Sequence, residues 1–178
     1  MLSASGNLNL QLGGKPFFPP VPDQVRLAVF KGIWNVTDDG PDVWRRSVYS
    51  YYKRGMRYPM FEVLDQPDPN VTCEARDVST TATQALSLLN NKFVLRQAEY
   101  FAGRVRRHAG REAGSQIHTA YQIALSRAPS QEELVWNLDF LNDQQQLHRG
   151  REISDAALAA LTDLCHVLLN LSEFVYLN

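Results

Sequence analysis

Cysteine is nearly missing from this 178-residue chain. Cys73 and Cys165 stand far apart, with no CxxC or CxxCH motif. That spacing excludes a zinc knuckle and attached haem, and leaves one disulfide or two free thiols as the alternatives. A charge excess is also missing: 18 basic and 19 acidic residues give a net charge of −1. No global field therefore draws the chain to nucleic acid or an anionic membrane, and any such patch must be local. No apolar run reaches the ~18 residues that a membrane-spanning helix needs. The opening MLSASGNLNLQLGG lacks both the basic first segment and the continuous apolar segment of a secretory signal. The expectation is a soluble chain without membrane insertion, either retained inside the cell or a fragment of an exported protein. With 44% hydrophobic and 21% charged residues, the composition is globular, and the length suits one domain with a substantial core.

What is present is unevenly distributed. Residues 1–24 hold Gly6, Gly13, Gly14, Pro16, Pro19, Pro20 and Pro22, a density of backbone breakers that allows turns and extended segments but no long helix. Residues 1–44 read as a strap on the domain or the remnant of a missing upstream segment. Within them Val25 to Trp34 suits a short strand or a helical turn, and Asn35 to Asp42 a loop. Arg45 to Lys53, with Val48, Tyr49, Tyr51 and Tyr52, favours an extended segment whose partner is expected at Val25 to Trp34. Met60 to Leu64 predicts one or two helical turns, ended by Pro67 and Pro69.

From Thr81 onward the pattern is helical. Thr81 and Gln84 have capping-box spacing, as do Ser130 and Glu133. Asn90 and Asn91 mark a break between two helices, and Gly110 and Gly114 close that pair; Ile117 to Leu125 marks the next helix. Gly150 ends the helix begun at Ser130. Ser154 is expected to cap the last long helix, whose Leu158, Leu161, Leu164, Cys165, Leu168 and Leu169 form the most regular apolar face and predict the central core helix. The fold expected is mainly α: an antiparallel bundle of four to five helices over residues 45–178, with an irregular, partly extended N-terminal region, in one domain overall.

Four stretches, RRSVYSYYKR, PMFEVLDQPDPNVTCEARDVSTTATQALSLLNNKFV, ALSRAPSQEEL and LCHVLLNLSEFVYLN, together resemble the C-terminal portion of the planctomycete cytochrome C family PSD domain, domain of unknown function 1553. The resemblance covers roughly residues 40–178, with a looser fit before. It implies a helical module with an extracytoplasmic address, at the periplasm or cell surface. It also implies haem c only in a separate module of family members, with no cofactor in this chain. The implied partners are upstream domains of a parent protein or another exported protein. The family lends no catalytic residue, and Lys92 stands where it often has proline.

Chemistry, if present, is expected between Trp44 and Asn91. Asp65, Asp68, Glu74 and Asp77 offer oxygens to a hard cation, but their spacing fits no calcium loop, and Asp beside Pro is ordinary turn chemistry. Asp65 and Asp68 also have the residue type of an acid and base pair. The leading expectation is a polar cluster of Arg45, Arg46, Tyr49, Asp65, Asp68, Arg76 and Gln84, in which arginine forks grip carboxylates and pin the irregular region. Its rival is a site for an anionic sugar, with Tyr49, Tyr51 and Tyr52 as aromatic faces. Arg104, Arg106, Arg107, His108 and Arg111 read as compensation of a helix C-terminus rather than a nucleic-acid patch. His118, His148 and His166 lack ligand spacing, so no metal site is expected. No catalytic signature is recognised. The functional expectation is a non-catalytic helical interaction module, with part of a site for polysaccharide or other anionic sugars as the alternative.

Overall fold

The computed structural model describes residues 1–21, 34–53, 58–68, 70, 72–74 and 81–176. The segment expected at Val25 to Trp34 lies outside these apart from Trp34, and so do Arg76 and Asp77. Among the described residues the regular structure is helical: α1 (Leu2–Ser5), a 3-10 turn (Ser47–Tyr49), α2 (Pro59–Val63), α3 (Ala82–Asn90), α4 (Lys92–Ala109), α5 (Ala113–Leu125), α6 (Gln131–Gly150), α7 (Ala156–Asn170) and α8 (Ser172–Val175). The chain groups into two compact units, one of Met1–Gly6 with Leu88–Asn178 and one of Asn7–Ser87.

In the first unit each helix start has a local cause. Asn91 supplies the break between α3 and α4: its Oδ1 accepts from the Phe93 backbone N–H at 2.8 Å, which satisfies one orphan donor of α4. Glu112 caps α5 by accepting from the Gly114 and Ser115 amides. Ser130 and Glu133 close the expected capping box on α6. The cap of α7 is Asp155, not Ser154: Asp155 Oδ1 accepts from the Leu158 N–H at 3.0 Å. Gly110 ends α4 at φ 73°, a conformation glycine adopts without steric cost.

These helices bury one shared core. Val94, Ala98, Phe101 and Val105 of α4, Ile117 and Ala120 of α5, and Leu161, Leu164, Cys165, Leu168 and Leu169 of α7 are almost wholly buried. Burying a leucine side chain stabilises by about 1.5–3 kcal/mol, so this layer dominates the unit. α7 packs on α4, α5, α6 and α8 and is the central helix. Short connections between α4, α5, α6 and α7 make consecutive helices antiparallel neighbours. α1 lies on α4, held where Ser5 Oγ donates to Gln97 Oε1 at 2.7 Å and Arg104 Nη1 donates to the Ser3 and Ala4 carbonyls at 2.8 and 2.9 Å.

The second unit is irregular and has its own small core. Phe18 stacks on Tyr51 with centroids 4.4 Å apart, and both rings meet the edge-on indole of Trp34. Trp34 Nε1 donates to the Pro19 carbonyl at 3.0 Å, which satisfies the polar end of a side chain that is otherwise buried. Residues 45–50 are extended only in part, because the 3-10 turn interrupts them. Their partner is the strap: the Phe17 N–H donates to the Tyr49 carbonyl at 3.0 Å, the Tyr51 N–H to the Phe17 carbonyl at 2.7 Å, and the Asn9 N–H to the Trp44 carbonyl at 2.8 Å. These contacts are isolated parallel bridges, Asn9 with Arg45 and Phe17 with Ser50, rather than a sheet.

Candidate binding site

The polar cluster expected between Trp44 and Asn91 divides into separate parts, all within the unit of Asn7–Ser87. At the start of α3 the Thr81 hydroxyl accepts from the Gln84 N–H, while Gln84 Oε1 accepts from the Thr81 N–H, both at 3.2 Å. The other end of the Gln84 amide donates to Asp65 Oδ2 at 3.0 Å. Asp65 follows α2 at φ 56°, so this contact joins the end of α2 to the start of α3. Asp68 shapes a turn, with its Oδ1 accepting from the Asn70 backbone and side-chain amides at 2.9 and 2.8 Å. Asn70 Nδ2 also donates to the Tyr52 hydroxyl at 3.0 Å. Tyr51 belongs to the aromatic core. Among the described residues, no group of three or more His, Cys, Asp or Glu side chains is placed to hold a metal ion.

Arg45 takes a different part. Only 6% of it is exposed, and its guanidinium lies over the Tyr49 ring at 4.0 Å. Nη1 donates to the Lys15 carbonyl at 3.0 Å, and Nη2 to the carbonyls of Gln11, at 3.3 Å, and Gly13. The acceptors recur at every second residue of the strap, and positive φ at Gly13 and Gly14 turns that stretch around the fork. The Gly13 N–H donates in turn to the Tyr49 hydroxyl at 3.2 Å. Arg45 holds the strap through backbone carbonyls, with no carboxylate within ion-pair distance among the described residues. Arg46 stays exposed, 5.9 Å from the same ring.

Beside Arg45 lies a recess of about 260 Å³, lined by Gln11, Gly14, Lys15, Pro16, Phe17, Thr37 and Asp42 as well as Arg45 itself. Lys15, Thr37 and Asp42 escape a reading of the sequence because each sits in a stretch that reads only as breaker or loop.

Sequence reasoning also passes over Arg127, a cation of the helical unit with several partners. It donates to Glu133 and Glu173 and lies 5.3 Å from the Tyr121 ring centroid. Its one signal was the Arg127 to Glu133 spacing at a helix start. Arg106, assigned to dipole compensation, also donates to Asp155 Oδ2 at 2.6 Å.

A family model described as PSD1, protein of unknown function (DUF1553), matches residues 1–141. The match begins in the strap, where the sequence resemblance is looser, and ends at Leu141 within α6. No curated protein and no solved structure matches the chain.

Proposed function

From the premise that the chain belongs to the PSD1 family (DUF1553), we propose that it is a non-catalytic helical interaction module of an exported, cytochrome-c-linked bacterial protein. Its partner is an apolar surface on the upstream domains of that protein. The observation that supports this is Trp136, which stands 65% exposed in the second turn of α6. Phe140 and Leu147 follow at helical spacing on the same flank of α6, with Leu147 45% exposed. Val135 and Leu138, also exposed, extend apolar surface to the opposite flank. Single exposed apolar residues are commonplace, whereas an exposed tryptophan within an apolar stripe matches the anchors that dominate protein interfaces. The core side of α6 is supplied by Leu141 and His148, with Leu134 and the half-buried Phe140 also packed against the core, so Trp136 is spare to the fold of its own unit.

The test is titration of the chain with the upstream domains expressed separately. Binding should shift tryptophan emission to the blue, and Trp136→Ala should abolish the shift while leaving the melting temperature unchanged. Undiminished binding by that variant, or no binding by the unaltered chain, would overturn the reading.

A further inference from the structure

We propose that the recess beside Arg45 is a binding site for a small carboxylate that also carries hydroxyl or ammonium donors. Arg45 carries a cation into a site where its partners are three neutral carbonyls and an aromatic ring. A buried charge is costly without an opposite charge. An anion entering the recess therefore gains from the positive charge of Arg45 and Lys15, which Asp42 offsets only in part. A guanidinium has five N–H donors, and three are used. Nε is buried without an acceptor, and one N–H of Nη1 is also spare. Nη1 lies near Gly14, which also lines the recess: a Cβ added at Gly14 would be in ordinary contact with it at 3.8 Å.

The rest of the lining divides by charge. Lys15 and Asp42 both line the recess, and neither has an ion-pair partner among the described residues. The Thr37 hydroxyl accepts from the Phe18 N–H at 3.0 Å, which leaves its own proton to donate. A carboxylate suits Arg45 and Lys15, while hydroxyl or ammonium donors suit Asp42. Phe17 supplies apolar wall. At about 260 Å³ the recess lies below the ~300–1,000 Å³ usual for drug-sized ligands, and fits one ring or a smaller acid. This site is independent of the α6 surface, so either assignment stands if the other fails.

Calorimetric titration of the whole chain with glucuronate, glycine, acetate and glucose tests it. Saturable binding of glucuronate or glycine is expected, and whichever binds tighter identifies the donor as hydroxyl or ammonium. Acetate, which lacks the donors, and glucose, which lacks the charge, should each bind at least about tenfold more weakly. Lys15→Gln and Asp42→Asn, both at exposed positions, should each weaken binding about five- to tenfold without unfolding the chain. The proposal falls if neither glucuronate nor glycine binds, if acetate or glucose binds as tightly, or if both variants bind as the unaltered chain does.

Discussion

Arg127 grips Glu133 through two parallel hydrogen bonds, Nη1 to Oε2 and Nη2 to Oε1, each 2.8 Å long. The same carboxylate accepts from the Ser130 N–H at 2.7 Å, so one side chain closes the capping box and receives the arginine fork. Arg127 also donates through Nε and Nη2 to Glu173, both at 2.7 Å. The start of α6 and the short α8 are thereby fastened to one cation. Planar, bidentate geometry of this kind is specific to arginine.

This arrangement makes folding sensitive to acid in a defined direction. The Arg127 bonds, followed by the Ser130 amide, hold the Glu133 carboxyl at about 2, well below its usual 4.5. A depressed folded value means that the contribution is present above the unfolded value and lost as pH falls toward 2. Glu133→Gln keeps a capping-box side chain but removes the charge. The Arg127 side chain is 38% exposed, so screening limits the expected loss to about 1 kcal/mol at neutral pH. In urea unfolding the gap between variant and parent should close between pH 4.5 and 2. A gap that persists at pH 2 would assign the effect to shape rather than charge.

Asp155 and Ser154 invite a direct comparison. Asp155 accepts from the Leu158 N–H through one oxygen and from Arg106 through the other, and together these contacts lower its carboxyl, with the amide first. Asp155→Ala should lower the melting temperature, whereas Ser154→Ala should leave it in place. Equal effects would return the cap to Ser154.

Cys165 is a free thiol with no exposed surface, and Cys73, also free of a disulfide, is exposed. Burial pushes its thiol above the ordinary range, which removes the reactive thiolate. A thiol reagent at pH 8 should therefore label one cysteine in the native chain and both after denaturation. Two prompt equivalents in the native state would contradict the packing of α7.

The helical half of the fold was legible because its signals are local. Thr81 with Gln84 and Ser130 with Glu133 lie within one turn of the amides they satisfy, and the apolar spacing of α7 defines the face that it buries. Even the displaced α7 cap moved by only one residue, between two side chains that both suit the position. The candidate site was less legible for a physical reason. Arg45 meets the carbonyls of Gln11, Gly13 and Lys15, and a carbonyl is the same group in every residue, so nothing in the sequence identifies it as a partner thirty residues away. Side-chain acids looked like the natural acceptors; among the described contacts Asp65 accepts from Gln84 and Asp68 from Asn70, while Arg76 lies outside the described residues.

That difference makes Arg45→Lys the most informative change in the irregular unit. Lysine preserves the positive charge but gathers its donors on one nitrogen, so it cannot span acceptors carried by residues 11, 13 and 15 or lie flat on the Tyr49 ring. At least one of these partly buried bonds should be lost, and because its carbonyl sits on an exposed residue that water can reach the loss is about 0.5–1.5 kcal/mol. The expected result is a lower urea midpoint, with the Tyr49 ring resonances moving toward random-coil positions and Gly13 becoming more open to hydrogen exchange. A lysine variant as stable as the parent, with these signals in place, would show that charge alone holds the strap, and that the threefold carbonyl contact is dispensable.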